Sequence, residues 1–371
     1  MEMVTDFLIA AVDRVGEKWT LALGGAIIGA LFGAFAQQSR FCLRAATVEF
    51  SRGRIGEKVS IWLIVFTAAV AGTQLLSATG LMVTSEARQI ASPQSLTGAA
   101  LGGLLFGTGM VLARGCASRL LVLSATGNLR ALLSGLVFAV VAQASLRGFL
   151  SPVREALARP LTTTATGGND LMGMIHLDPV QAASAAVIAL LLAVMTATWS
   201  RSRPWVIFSA FIVGLMVPAA WFFTHTMRGI AFEPITMNSL TFTGPSADTL
   251  MLFLTPPGSM IDFDVGLVPG VFLGSFLAAW LTRQLQLQGF HDGASMRRYL
   301  LGAALMGFGG MLAGGCAVGA GVTGASVFAL TAWITLFCMW LSAGVTDWLV
   351  DRHDEMPAPP SKPALGPQPA E

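Results

Sequence analysis

The stretch LGGLLFGTGMVLARGCA, residues 101–117, lies over LGAALMGFGGMLAGGCA, residues 301–317, when the chain is slid along itself by 200 positions. Leu101, Gly102, Leu105, Gly107, Gly109, Leu112, Ala113, Gly115, Cys116 and Ala117 all recur without a gap. Leucine and alanine coincidences are expected in so apolar a chain, but an ordered row of glycines closing on a cysteine is not. The pair marks an internal repeat. Each copy is an apolar stretch that stops on Gly-Cys and is followed by a further apolar segment of half length.

Composition says what such a repeat is built into. Of 371 residues, 54% are hydrophobic and 11% charged, with a mean hydropathy of +0.70, whereas soluble domains carry about 25% charged residues. This is an all-α polytopic membrane protein. Stretches long enough to cross about 30 Å of hydrocarbon fall near 20–38, 60–82, 96–113, 130–150, 178–199, 205–223, 264–284, 299–313 and 327–349, about nine transmembrane helices surrounded by membrane lipid. The 41 glycines suit close helix contacts, because helices in lipid associate through small residues. A net charge of +2 leaves no footprint for nucleic acid. Residues 1–19 form an N-terminal segment without a cleavable signal pattern, and the Pro-rich stretch 351–371 reads as a disordered cytoplasmic tail. The segment 151–178 is left open, with TTTATGGND as an outer loop.

Loop charges orient the halves, since Lys and Arg are retained on the cytoplasmic side. Arg44, Arg52, Arg54 and Lys58 follow the first span, while the matching loop from Thr224 to Asp264 carries Arg228 against Glu233, Asp248, Asp262 and Asp264. Glu86 and Arg88 precede the first Gly-Cys unit, and Arg283, Arg297 and Arg298 precede the second. The expectation is two inverted pseudo-repeats, about 20–150 and 205–350, joined by a linking helix at 178–199 that ends on Arg201 and Arg203 inside. Together they form one transport domain, 20–350, with a cytoplasmic C-terminus. Inverted repeats with Gly-interrupted helices in matching positions point to a transport site at mid-membrane. Broken half-helices and re-entrant loops would then form a central pore, because loose backbone at that depth must face protein or water.

The breaks carry the chemistry. None of Cys42, Cys116, Cys316 and Cys338 has a zinc or CxxC spacing, so no metal or cofactor is implied. Cys116 and Cys316 occupy the same place in both halves, after Gly115 and Gly315. Cys42 ends the first span between Arg40 and Arg44, while Cys338 lies inside an unbroken span and reads as packing. His225 has no evident partner. Amides at a helix N-terminus favour an anion, and thiols add weak, polarizable donors. A hard phosphate or sulfate would gain more from arginine or hydroxyl donors, so thiols at breaks suggest a soft, sulfur-bearing anion. Arg114, Arg119, Arg40 and Arg44 could attract it over distance.

These residues resemble the YeeE/YedE sulfur-transport family of bacterial membrane proteins. The likeness rests on RGCASRLLVLSATGNLRALLSGLVFAVVAQASLRG (114–148), AGGCAVGAGVTGAS (313–326) and QSRFCLRAA (38–46), and extends over essentially the whole membrane region. It implies thiosulfate uptake across the bacterial cytoplasmic (inner) membrane, not enzymatic turnover. Cys42, Cys116 and Cys316 would pass the ion inward through S–H···S hydrogen bonds, without a covalent intermediate. The implied partner is a small cytoplasmic sulfurtransferase of the TusA type. Relatives are also linked to selenium or other sulfur compounds.

Two other classes stay open at this stage. A membrane thiol or persulfide oxidoreductase would need cysteines close enough to pair, and a channel for a neutral solute would use the thiols only as a constriction. For a dianion entering an inside-negative cell the cost is about 2.3 kcal/mol per charge per 100 mV, doubled for thiosulfate. With no evident acidic relay in the spans, consumption of the sulfur inside is the favoured sink.

Overall fold

The computed structural model describes residues 2–165, 167–252, 256, 261–289 and 293–351. Among them the regular structure is helical: α1 (Glu2–Val15), α2 (Glu17–Ser39), α3 (Leu43–Ser51), α4 (Glu57–Ala78), α5 (Arg88–Ala91), α6 (Leu96–Leu112), α7 (Ala117–Ala125), α8 (Leu129–Arg147), α9 (Ser151–Ala158), α10 (Leu171–Ile175), α11 (Pro179–Trp199), α12 (Pro204–Ile230), α13 (Thr243–Leu252), α14 (Phe263–Leu281) and α15 (Gly293–Leu312). A π-helical turn, Ala317–Thr323, runs into α16 (Gly324–Ser326), and α17 (Leu330–Thr346) closes on a second π-turn, Asp347–Asp351. Eight of the described helical stretches are long and apolar enough to cross a membrane, and two of these, Glu17–Ser51 and Leu96–Ala125, run through a break. The pair Ser295–Leu312 and Ala317–Ser326, bent by 41°, makes a ninth. The chain is a multi-pass membrane protein. Most of the expected tail, from residue 352 on, lies outside the described residues.

Helix α11 turns small residues inward and large apolar ones outward, as suits a helix packed through small residues in lipid. On α11, Ala182, Ala183, Ala186, Ala193 and Ala197 are buried, while Val180, Ile188, Leu191 and Leu192 are exposed. Four-residue glycine spacing brings α2 and α14 together. A Cβ on Gly25, Gly29 or Gly33 would strike the carbonyls of Phe263, Leu267 and Val271, and one on Gly266, Gly270 or Gly274 those of Ala22, Ala26 and Ala30. Numbers rise together on both helices, so they run parallel.

The repeated stretch makes the central crossing. Gly102 of α6 packs on Gly309 and Ala313 of α15, and Gly302 packs on Gly109 and Ala113. Here the numbers run in opposite senses, so two helices of matching sequence cross antiparallel through the same glycines. Beside them Trp221, Phe32, Phe106 and Phe242 are fully buried.

Three segments differ from the sequence expectation. The span placed at 299–313 begins at Gly293, because Arg298 enters the helix paired with Asp351 at 2.6 Å. The span placed at 205–223 continues to Ile230: Thr224 and Thr226 bond back to the carbonyls of Ala220 and Phe222, which keeps polar residues inside the helix. Most of the outer loop expected from Thr224 to Asp264 is not a surface loop. After α12 the chain turns back, with Thr224 Oγ1 donating to the Asn238 carbonyl at 2.6 Å and Ser239 Oγ to that of Val217 at 2.9 Å. Met237, Ser239, Leu240 and Phe242 are buried before α13 begins. The open segment 151–178 contains α9 and α10, and TTTATGGND is non-helical over its described residues.

The glycine contacts predict a sharp contrast between two valine substitutions. Gly270→Val drives a side chain into the Ala26 carbonyl and should cost about 1–3 kcal/mol, whereas a Cβ on Gly135 meets nothing within 4 Å. Thermal unfolding in detergent should show a lowered midpoint for Gly270→Val and little change for Gly135→Val.

Candidate functional site: thiols at three helix breaks

Each cysteine break has the same local grammar. A helix ends, a residue takes the left-handed conformation, and two positions later a cysteine in extended geometry caps the next helix. The left-handed residues are Arg40 (φ 54°), Arg114 (φ 56°) and Gly314 (φ 78°), and the caps are Cys42 on α3, Cys116 on α7 and Cys316 on the π-turn. Gly315 is obligatory, since a Cβ there would lie 2.7 Å from the Ala320 amide nitrogen. Gly115 has more room, 3.4 Å to the Leu120 side chain.

Cys42, Cys116 and Cys316 are all buried in the main core, as are Leu43, Ala117, Ala317 and Thr243, the first residues of four half-helices. Four sets of unsatisfied amides therefore begin inside the protein. Their partial positive charges favour an anion there. Cys316 Sγ accepts from the Gly319 amide at 3.4 Å, and Cys116 Sγ lies 3.4 Å from Ser118 Oγ.

The structure brings Cys42 and Cys116 together, their side chains interacting, with the Arg119 and Arg40 side chains near enough for electrostatic coupling at the same place. Arg119 Nη1 is buried without a hydrogen-bond partner. A guanidinium nitrogen without a partner beside two thiols has the chemistry to accept an anion. Cys316 stands apart, at the other end of the α6–α15 crossing, where Gly319 replaces Arg119 200 positions on. Arg114 is exposed and turned toward Arg130 and Asp351 rather than the thiols. Cys338 is half-buried on α17 and packs against Gly103.

Ion pairs pin the thiol end in place. Arg44 of α3 and Arg298 of α15 share Asp351 at 3.1 and 2.6 Å, and Arg52 makes two 3.1 Å bonds to Asp347. At the opposite end His225, expected to lack a partner, has Nδ1 3.7 Å from Glu86, which also binds Arg228 at 3.0 Å. Sequence reasoning missed this contact because Glu86 comes from a distant turn. It also missed the buried segment before α13, whose alternating apolar and hydroxyl residues were the available signal.

Residues 38–345 match the family described as Sulphur transport. The chain belongs to that family. It is also similar to two proteins each named thiosulfate transporter TsuA. That of Escherichia coli (strain K12) is 28% identical over 354 residues, covering 90% of this chain and 95% of the relative. That of Spirochaeta thermophila (strain ATCC 700085 / DSM 6578 / Z-1203) is 28% identical over 350 residues, covering 90% and 99%. Within this family the glycine-cysteine turns are part of a membrane transport protein.

Asp347 is buried and Arg52 is its partner, so Arg52→Met should leave a buried charge unpaired at a cost of about 3–5 kcal/mol. The expected result is a lowered unfolding midpoint in detergent, largely recovered by adding Asp347→Leu.

Proposed function

We propose that this protein takes up thiosulfate across the bacterial cytoplasmic membrane, along a path through the core lined by Cys316, Cys116 and Cys42. The observation that carries the reading is the buried Arg119 Nη1, unpartnered beside Cys42 and Cys116 where half-helix N-termini begin. The relatives named thiosulfate transporters supply the substrate. The terminal sulfur of thiosulfate is soft and suits thiol donors, its charge suits Arg119 and the amides, and no covalent step is needed. Gly115 and Gly315 give the turns their shape. Arg114 draws the ion on toward the exit.

The arginine-rich end, with Arg44, Arg52, Arg298 and Arg114, is the cytoplasmic one by the charge rule, and α17 ends there. The antiparallel crossing of α6 and α15 through matching glycines supports two inverted halves. A TusA-type sulfurtransferase at this end would consume the sulfur and so offset the cost of bringing in a dianion. A thiol–disulfide reading draws on one observation, the adjacency of Cys42 and Cys116. The lone position of Cys316 and the unpartnered arginine favour passage of an anion.

Labelled thiosulfate uptake, measured in bacteria lacking their own sulfate and thiosulfate importers at matched membrane levels, tests the proposal. Cys116→Ala and Arg119→Leu should each lower uptake more than tenfold, with Arg119→Lys retaining part of it and Cys338→Ala near wild type. Uptake that survives Cys116→Ala contradicts the relay. A mixed disulfide or persulfide trapped on Cys42 during turnover would favour the oxidoreductase instead.

A further inference from the structure

The two Gly-Cys turns are too far apart for a direct hand-over. Ala113 packs at Gly302 and Ala313 at Gly102, so at about 1.5 Å per residue they are separated on the order of 16 Å along α6. No S–H···S hydrogen bond spans that gap. An ion moving from Cys316 to Cys116 needs a station between them that is not a thiol.

The re-entrant segment lies against this gap. Its residues Met237, Ser239, Leu240 and Phe242 are buried, yet among the described residues no amide from Met237 to Phe242 donates a hydrogen bond to the protein. Buried unpaired amides are rare, so these donors are open to an acceptor from outside the chain, water or an anion. The carbonyls, by contrast, are engaged: Thr224 bonds that of Asn238, and Thr323 Oγ1 that of Leu240 at 2.7 Å. Thr241 packs on Gly319, whose amide bonds Cys316. Thr243, two residues on at the start of α13, is 1% exposed with its hydroxyl unpartnered. That hydroxyl meets Gly310, which itself faces Phe106. Phe106 is about 6 Å inward of Gly102 along α6. In the first half the matching residues are Phe41 and Leu43, so these hydroxyls belong to one half only.

We infer that Met237–Thr243 forms an oxyanion station between Cys316 and Cys116, with Thr243, Thr241 and the free amides holding the oxygens of the transported anion. This rests on the transport reading and deepens it. Hydroxyls and amides bind the hard oxygen end, while Cys316 binds the terminal sulfur, so the two ends of one ion are recognised by different donors.

The test is the concentration dependence of thiosulfate uptake, with sulfate as a competitor that has the oxygens but not the terminal sulfur. Thr243→Val removes the hydroxyl at nearly constant shape and should raise both the half-saturating thiosulfate and the half-inhibiting sulfate concentrations tenfold or more. Thr243→Ser should stay within twofold on both. Thr241→Val, at the Cys316 turn, is the second variant if Thr243→Val fails to accumulate, with the same shifts expected. Constants within twofold of wild type in a valine variant overturn the inference, as does a fall in maximal rate alone, which assigns the threonine to packing. Wild-type uptake that sulfate never inhibits also overturns it. Wild-type protein that carries no thiosulfate overturns the transport reading and the inference together.

Discussion

A helix that stops inside a membrane leaves amides without acceptors, and no lipid can supply them. Among the described residues four helical segments begin inside the protein, at Leu43, Ala117, Thr243 and Ala317, all buried. Everything around them serves to make these breaks tolerable. Glycine rows on α2, α14, α6 and α15 let backbones approach closely, which closes the core around the breaks and keeps lipid out. Ion pairs from Arg44, Arg52 and Arg298 to Asp347 and Asp351 hold α3 against the last helix. The remaining unsatisfied donors are then available to a mobile anion.

The two halves are alike in frame and unlike in lining. Around the first Gly-Cys turn a second thiol, Cys42, and the charged Arg119 stand together. Around the second, Phe242 replaces Cys42 and Gly319 replaces Arg119. Phe242 packs tilted against Phe32 at 5.3 Å between centroids, and Thr241 uses the room that Gly319 leaves. The positive side chain is thus confined to the arginine-rich end. On the proposed reading, the uncharged lining at the Cys316 turn would bind an anion weakly and the charged one beside Cys116 would hold it longer.

Much of this was legible in the chain. The gapless match of 101–117 with 301–317 announced both Gly-Cys turns, and the helix bounds follow the apolar stretches closely except where polar residues are accommodated. Arg298 and Thr224 hid helix ends because hydropathy counts a charge or hydroxyl against a span, while an Asp351 partner or a bond to Ala220 removes that cost. The adjacency of Cys42 to Cys116, and of Arg119 to both, could not be read, since it depends on how α3 and α7 pack. The segment before α13 was read as surface loop from its acidic neighbours, although the residues that turn inward are apolar or hydroxylic. Arg114 lies close to Arg119 in sequence, yet it is exposed and couples to Asp351.

The transport reading requires an anion to bind where Cys42, Cys116 and Arg119 meet. A structure of the protein in lipid nanodiscs with thiosulfate at saturating concentration tests it most directly, with the sulfurs located by anomalous or difference density. The account predicts density in contact with Cys116 Sγ and Arg119 Nη1. Saturated protein with that space filled only by water, or with thiosulfate bound solely outside the core, would contradict it.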